Sequence, residues 1–144
     1  MIRHAGLIAQ RLGGVWRGVL IEGPAGAGKS DLALRALGEG FSLVADDRVL
    51  LWTCEGRLFG RAPDALSGLL EIRGLDVVRV AALPLAEVAL IARSGAPERI
   101  PEPAFAELLG ISRPLIVIDP QLASAPAKLS RALSHFDAAH KRRI

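Results

Sequence analysis

The stretch that decides the fold is Gly23-Pro24-Ala25-Gly26-Ala27-Gly28-Lys29-Ser30, which matches every fixed position of the phosphate-binding loop pattern G-x-x-x-x-G-K-[ST]. Residues 16–22 before it predict a short strand, and residues 31–37 after it predict a helix. The glycines allow successive N–H groups to point into one concavity, and the start of the helix adds its positive dipole end. This order of strand, loop and helix predicts a site for the phosphates of a nucleoside triphosphate.

Two side chains at the end of this loop have predicted roles of their own. We expect Lys29 to reach the β- and γ-phosphates, and the hydroxyl of Ser30 to hold a Mg²⁺ ion that bridges the same oxygens. A glycine-rich turn before a helix can also be only a tight turn. The lysine, the serine and both flanking elements together favour the nucleotide site over that alternative.

Composition limits the class of protein. The chain has 144 residues, the size of one domain, and 51% of them are hydrophobic. No apolar stretch reaches the roughly 18 to 20 residues that a membrane-spanning helix needs, so a buried α/β sheet explains the composition. Cys54 is the only cysteine, which excludes an internal disulfide. Residues 1–11 lack a signal-peptide pattern, and we therefore predict a cytoplasmic protein with no membrane partner.

The positive charge of the chain does not favour nucleic acid as a partner. The net charge is +3, and Lys141, Arg142 and Arg143 alone supply three positive charges. Aromatic residues make up only 4% of the chain, so the interleaved stacking platforms that bind single strands are missing. We expect residues 141–144 to form a flexible, solvated basic tail.

The remaining segments predict a mixed sheet. The predicted elements are strands at residues 43–47, 77–80, 86–92 and 115–120, a hairpin of residues 48–52 and 57–60, a turn or short helix at 62–64, a loop at 97–103 and a helix from Ala127 to about Ala139. The hairpin interrupts a simple alternation of strands and helices. We therefore expect a single α/β domain over residues 1–144, in which helices flank a mixed sheet that contains the phosphate-binding loop.

A triphosphate site also needs an acid at a strand end, and the chain offers two candidates. Asp46 and Asp47 are adjacent, so their charges repel each other unless a cation or a proton is shared, which favours a functional role. Capping of the turn after the strand is the alternative. Asp119 precedes Pro120, and an Asp-Pro pair favours a turn.

Three motifs in order give the chain a family resemblance. They are the loop at residues 23–30, Leu43-Val44-Ala45-Asp46-Asp47-Arg48-Val49 and Leu69-Leu70-Glu71-Ile72-Arg73-Gly74-Leu75. Together they resemble the catalytic domain of bacterial HPr kinase/phosphorylase, and the resemblance extends from His4 to about Val80. It implies an HPr kinase or PEP carboxykinase-like fold. It also implies ATP-dependent phosphorylation of a serine of HPr, the phosphocarrier of the sugar phosphotransferase system, and the reverse reaction with inorganic phosphate.

The resemblance also implies roles for individual residues. Asp47 would accept the proton of the target serine and donate it in the reverse reaction, and Glu71 would hold Mg²⁺ alongside Ser30. His4 resembles the family's catalytic histidine. The secondary candidates for contacts with phosphate or metal are Asp46, Arg73 and Lys128. Because family members assemble as hexamers, the resemblance also implies a homo-oligomer.

Three features differ from the family pattern. The chain begins almost at His4, so it resembles the short form without the N-terminal domain, and Asp76 stands where the family usually has glycine. Residues 123–128 lack the arginine that the family uses for dephosphorylation. Lys128 cannot replace it, because lysine does not form the bidentate hydrogen bonds that arginine forms with phosphate. Kinase activity is therefore favoured over phosphorylase activity. A small-metabolite kinase and a nucleotide-binding regulatory module with weak or no catalysis remain the alternatives.

Overall fold

The computed structural model describes residues 1–142. Its two helices are α1 (Lys29–Leu37) and α2 (Ala125–Arg142), and residues Asp64–Leu66 form a 3₁₀ turn. The strands are β1 (Ile2–Arg3), β2 (Ala5–Leu12), β3 (Val15–Glu22), β4 (Phe41–Ala45), β5 (Val49–Cys54), β6 (Arg57–Arg61), β7 (Leu69–Ile72), β8 (Asp76–Arg79), β9 (Ala86–Ser94), β10 (Ala104–Leu108) and β11 (Ile111–Ile118).

Nine of the described strands form one mixed sheet that divides at β9. The strand order is β1-β5-β6-β9-β3-β2-β4. In addition, β11 pairs with β9 on one side and with β10 on the other. The β3–β9 and β9–β11 pairs are parallel, whereas β2 runs antiparallel to both β3 and β4. One side of β9 pairs with β6 at its start and with β11 at its end, so the sheet separates into two branches there. The strands β7 and β8 pair only with each other.

The two faces of the sheet are covered in different ways. On one face, Val19 and Ile21 pack with buried residues of α1 and α2. On the other face, Leu20 packs with the inner residues of the β5–β6 hairpin. This arrangement confirms the predicted mixed α/β domain, with both helices on the same face of the sheet. Neither helix is both long and apolar enough to cross a membrane, as far as residues 1–142 are concerned.

Several predicted boundaries move in the structure. The hairpin is confirmed as β5 and β6, but β4 ends at Ala45, so both acids that follow lie beyond the strand. The helix α2 is longer than predicted and continues to Arg142, so the predicted basic tail overlaps its last two residues. Residues 143–144 of that tail lie outside the described residues.

The sequence does not predict β2, although it is paired with a strand on both sides. Its residues 5–9 are buried between β3 and β4, and they are apolar or glycine on both faces. A strand that is buried on both faces shows no alternation of polar and apolar residues, so the usual strand signal is missing.

A close backbone approach marks the start of the β3–β9 pair. A Cβ atom added at Gly18 would lie 2.5 Å from the carbonyl oxygen of Glu87, and the register of the pair shifts between Gly18 and Val19. Only glycine leaves room for the neighbouring backbone at this position.

Candidate active site

The predicted site residues gather at one edge of the sheet, which we call the carboxyl edge. Because β2 is antiparallel to both β3 and β4, its start lies beside the ends of these two strands. The parallel strands β9 and β11 end at the same edge. Residues 23–28 follow β3, Asp46 and Asp47 follow β4, and Asp119 follows β11. The topology therefore brings together segments that are up to about a hundred residues apart in the chain.

The segment at residues 23–28 forms a tight loop between β3 and α1. The N–H of Ala27 donates to the carbonyl oxygen of Pro24 at 3.1 Å. Gly26 and Gly28 have φ angles of 80° and 99°, a left-handed conformation that side chains disfavour. Helix α1 begins at Lys29, directly after this loop. Its first N–H groups, which have no partners within a helix, therefore lie beside the loop.

Lys29 folds back over the loop that precedes it. Its Nζ donates to the carbonyl oxygens of Gly23 at 2.6 Å and of Pro24 at 3.0 Å. The ammonium group is thus held beside the loop by two backbone acceptors, and its third hydrogen remains available to an anion.

Ser30, Asp46 and Glu71 form a hydrogen-bonded group behind the loop. The Ser30 hydroxyl donates to Oδ1 of Asp46 at 2.7 Å, and the backbone N–H of Glu71 donates to Oδ2 at 3.1 Å. Asp46 is only 6% exposed, whereas Glu71 is an exposed residue of β7. The structure therefore joins Ser30 directly to Asp46, and it brings Glu71 to the group through its backbone.

The two adjacent acids face different surroundings. Asp47 has a φ angle of 68°, its side chain is 70% exposed, and its Oδ2 lies 3.8 Å from Nε of Arg48. Its carbonyl oxygen accepts a hydrogen bond of 3.2 Å from the N–H of Ala5. Exposed His4 precedes Ala5, so it lies beside Asp47 at the carboxyl edge. Burial of one acid and exposure of the other keeps their carboxylates in separate environments.

The remaining two candidates are less closely connected to the loop. Arg73 is exposed in the turn between β7 and β8, two residues after Glu71, and Lys128 is exposed in the first turn of α2. Among residues 1–142, neither side chain makes a hydrogen bond or ion pair with residues 23–30.

The segment that follows the candidate acid Asp119 crosses the loop, a contact that the sequence did not predict. Asp119 accepts a hydrogen bond of 2.9 Å from the N–H of Gln121, as expected for a turn, and Gln121 Nε2 donates to the carbonyl oxygen of Ala27 at 3.2 Å. Arg35 of α1 donates to the carbonyl oxygens of Pro120 and, at 3.0 Å, of Leu122. Residues 119–122 are thus tied both to the loop and to the helix behind it. The Asp-Pro pair was the only sequence signal for this segment.

Polar residues that the sequence does not single out also border the loop. Glu22 accepts a hydrogen bond of 3.1 Å from Arg93 and lies 3.4 Å from Arg3. A Cβ atom added at Gly23 would lie 2.3 Å from Oγ of Ser94. The parallel pairing of β9 with β3 places Arg93 and Ser94 beside Glu22 and Gly23.

The donor set suits a hard divalent cation that is shared with phosphate. Mg²⁺ prefers oxygen ligands and is usually bound through one or two carboxylates together with substrate phosphates and water. The Ser30 hydroxyl and the Asp46 carboxylate supply such oxygens 2.7 Å apart. Within the described residues, no group of three or more His, Cys, Asp or Glu side chains is arranged to hold a metal on its own. The site therefore fits a cation that arrives with a nucleotide.

Comparison with known proteins shows which family the chain resembles. The sequence model of the HPr Serine kinase C-terminal domain matches residues 10–85, which is slightly more than half of the chain. The HPr kinase/phosphorylases of Clostridium tetani and Clostridium acetobutylicum are 47% and 46% identical over 66 residues, which is 46% of this chain. That matched segment spans 22% of either relative.

A solved structure extends the similarity over nearly the whole chain. The Hpr(Ser) kinase/phosphatase of Coxiella burnetii superimposes with a TM-score of 0.82 and 25% identity, covering 98% of this chain and 99% of that one. The chain thus has the fold of a kinase catalytic domain with the predicted site at its carboxyl edge. It belongs to the HPr Serine kinase C-terminal domain family.

Proposed function

We propose that this chain is an ATP-dependent protein-serine kinase whose substrate is HPr or an HPr-like phosphocarrier. The observation that carries the proposal is the pairing of Ser30 with buried Asp46 directly behind the loop at residues 23–28. Membership in the HPr Serine kinase family supports the choice of a protein substrate over a small metabolite.

The loop and Lys29 would bind the triphosphate. The N–H groups at the start of α1 and the helix dipole favour an anion beside the loop. Lys29 is already held there by two carbonyl oxygens and carries a fixed positive charge toward which the γ-phosphoryl group can orient. These groups supply electrostatic stabilisation, the main protein contribution to phosphoryl transfer.

Ser30 and Asp46 would hold the Mg²⁺ that accompanies ATP, with Glu71 as a further carboxylate beside them. When bound, the ion neutralises charge on the β- and γ-phosphates. The hydrogen bond from the N–H of Glu71 orients the carboxylate of Asp46 at 3.1 Å. Asp46 therefore has a defined direction before the nucleotide arrives, which limits the reorganisation required on binding.

Asp47 would act as the proton acceptor, and its exposure suits this role. A serine on the surface of another protein can reach a carboxylate that is 70% exposed, but not one that is 6% exposed and hydrogen-bonded. The serine hydroxyl would give its proton to Asp47 while its oxygen forms a bond to the γ-phosphorus. The bond between the γ-phosphorus and the bridging oxygen would break, and ADP would leave. Exposed His4 would assist from the neighbouring start of β2.

Other properties of the proposed enzyme follow from the family resemblance alone. They are a homo-oligomeric assembly and a reverse reaction in which inorganic phosphate removes the phosphoryl group. The cytoplasmic location is proposed separately, from the sequence pattern alone. In the reverse reaction Asp47 would donate the proton. Arg73 and Lys128 are candidates for contacts with the incoming phosphate, and both side chains are exposed to solvent.

The central experiment is transfer of ³²P from [γ-³²P]ATP to purified HPr-like protein in the presence of Mg²⁺. The wild-type chain should phosphorylate one serine of the carrier, as mass spectrometry of the carrier will show. Asp47→Asn should lower kcat by about 10²- to 10⁴-fold, because a positioned general base contributes that much. Its affinity for ATP should stay within about threefold of wild type, since the amide leaves the loop unchanged.

A matched variant separates the two adjacent acids. Asp46→Asn should weaken Mg²⁺-dependent ATP binding as well as transfer, because it removes the charge beside Ser30. Asp64→Asn, in an exposed carboxylate of the 3₁₀ turn, is the control and should retain wild-type transfer. Full transfer by Asp47→Asn would exclude Asp47 as the base, and tight ATP binding without transfer to any carrier would instead indicate a regulatory module.

A further inference from the structure

A polar cavity lies at the opposite end of the sheet from the loop. It has a volume of about 270 Å³ and lies between the last described turns of α2 and the starts of β3, β9 and β11. We call it the amino-end cavity. Its lining residues are Arg17, Glu87, Ala89, Leu90, Arg113, Pro114, Leu133, Phe136 and Asp137.

The two arginines in the lining lack close contacts with the nearby carboxylates. Terminal nitrogens of Arg17 lie 3.5 Å from Glu87 and 3.3 Å from Asp137, and its buried Nε has no hydrogen-bond partner among the described residues. Arg113 donates from Nε and Nη1 to backbone carbonyl oxygens, and its Nη2 lies 4.0 Å from Glu87. Charge-assisted hydrogen bonds are usually about 2.7–2.9 Å long. Both guanidinium groups therefore retain capacity for another anion.

Glu87 satisfies these arginines only in part, because Arg57 holds its carboxylate at shorter distances. Arg57 approaches from outside the lining and donates two hydrogen bonds to the Glu87 carboxylate, at 2.8 and 3.2 Å. The three arginines and the carboxylates of Glu87 and Asp137 together leave a surplus of one positive charge. A single additional carboxylate would balance this surplus.

The rest of the lining is apolar. Leu90 and Leu133 are almost fully buried, and Phe136 packs beside them at the edge of the core. Pockets of this composition bind ligands that have an apolar body, while a few polar groups orient one end. The combination of two arginines and an apolar wall therefore fits a small amphipathic anion better than a fully hydrated ion.

We propose that the amino-end cavity binds a small organic monocarboxylate, with its carboxylate at Arg17 and Arg113 and its apolar body against Leu90, Leu133 and Phe136. The cavity is separate from the carboxyl edge. Arg17 and Gly23 are six residues apart on or just after β3, which corresponds to about 20 Å at the rise of an extended strand. Binding there requires neither nucleotide nor carrier, so the proposal does not depend on the kinase activity.

The test uses benzoate as the probe and ¹H–¹⁵N NMR of the full chain as the measurement. We expect saturable shifts of the amides at positions 17, 88, 113 and 133, with a dissociation constant on the order of 1 mM, as befits a ligand of this size. Benzamide has the same shape without the charge and should bind at least about tenfold more weakly, because the charged hydrogen bonds to arginine are lost.

Variants of the cavity provide a second line of evidence. Arg17→Gln should weaken benzoate binding at least about tenfold, because it removes one charged donor group. Ala89→Leu changes no charge but fills part of the cavity with a larger side chain, so it should also abolish binding. This variant provides the test if Arg17→Gln does not fold. Arg11→Gln is the matched control, since exposed Arg11 lies on neighbouring β2 and does not line the cavity.

Four outcomes would overturn the proposal. The first is an absence of saturable shifts through the millimolar range. The second is equal binding of benzoate and benzamide, or of benzoate to wild type and Ala89→Leu. The third is a set of shifts centred on residues 23–30 and lost in Lys29→Ala, which would place the anion at the nucleotide loop. Competition by inorganic phosphate at equal concentration would likewise show a general anion site rather than a carboxylate site.

Discussion

The two ends of the central strands assemble their charged and polar groups in different ways. At the carboxyl edge, the groups come from one continuous segment, in which loop 23–28 leads directly into α1 and Lys29. At the amino end, Arg17, Glu87 and Arg113 come from three separate strands. The first arrangement depends on local backbone geometry, whereas the second depends on the pairing of β3, β9 and β11. A sequence motif can therefore reveal the arrangement at the carboxyl edge but not the one at the amino end.

The two ends also differ in the groups that surround their carboxylates. At the carboxyl edge, Asp46 accepts hydrogen bonds from a hydroxyl and a backbone N–H, both uncharged donors. At the amino end, burial raises the pKa of Glu87. The hydrogen bonds and charge of Arg57, together with the charges of Arg113 and Arg17, lower it by a larger amount, so the pKa of Glu87 lies below its ordinary value. Asp46 thus remains open to an additional cation, while Glu87 is already neutralised by arginine.

The largest expected difference between the two ends concerns catalysis. Lys29→Met should lower kcat for phosphate transfer by about 10²- to 10³-fold, because a charge that stabilises the transition state is lost. Arg11→Gln removes the same charge at the exposed amino end of the sheet and should leave kcat within about twofold. Steady-state transfer assays with saturating ATP will measure both. Similar losses in the two variants would show that the effect of Lys29 is a general electrostatic one.

Glycine substitutions should separate the two ends by stability. In Gly18→Ala the new Cβ would meet a backbone oxygen at 2.5 Å, and the cost should be about 2–3 kcal/mol, because a central strand cannot move aside. In Gly23→Ala the nearest atom is Oγ of Ser94, at 2.3 Å, which can rotate away, so about 1 kcal/mol is expected.

Urea unfolding will give both free energies. Adding Ser94→Gly to Gly23→Ala should recover most of the loss, because it removes the side chain that the new Cβ meets. Equal costs at the two glycines would contradict the distinction between an immobile backbone neighbour and a rotatable side chain.

The charge network at the amino end predicts a pH-dependent stability. The pKa of Glu87 is lowered from 4.5 in the folded state, so its contribution is fully present above about pH 4.5 and is lost as the pH falls through the lower folded-state pKa. Glu87→Gln should therefore cost about 1–2 kcal/mol at pH 7, and the difference from wild type should shrink below pH 4.5.

Thermal unfolding at several pH values will measure this dependence. Glu107→Gln, in an exposed carboxylate of β10, is the control and should change stability by less than about 0.5 kcal/mol. A gap between Glu87→Gln and wild type that widens on acidification would have the opposite sign to the one expected.

The smallest expected effect concerns the segment that crosses the loop. Gln121→Ala removes one exposed hydrogen bond to Ala27, so nucleotide affinity should fall by no more than about tenfold. Gln10→Ala removes a comparable bond to Ser130 on the far side of the chain and should not change nucleotide affinity. Titration with a fluorescent ATP analogue will compare them. A loss of affinity much greater than about tenfold would mean that Gln121 contacts the nucleotide directly.

Much of the carboxyl edge could be predicted from the sequence because its signals are local. The loop at residues 23–30 carries its own strand and helix, and the β5–β6 hairpin surrounds a short turn. The strand β2 could not be predicted, since its buried residues show no alternation. The contact of Gln121 with Ala27 could not be predicted either, because it joins residues 94 positions apart.

The sequence by itself determined that a loop with the phosphate-binding pattern lies between a strand and a helix, that two adjacent acids follow a second strand, and that the chain resembles a known kinase family. These features depend on residues that are neighbours in the chain. Only the tertiary structure decided that Asp46 is buried against Ser30 while Asp47 is exposed, and that Arg17 and Arg113 meet in one cavity. The physical reason is that burial and strand pairing bring together distant segments, and no local pattern records which segments will meet.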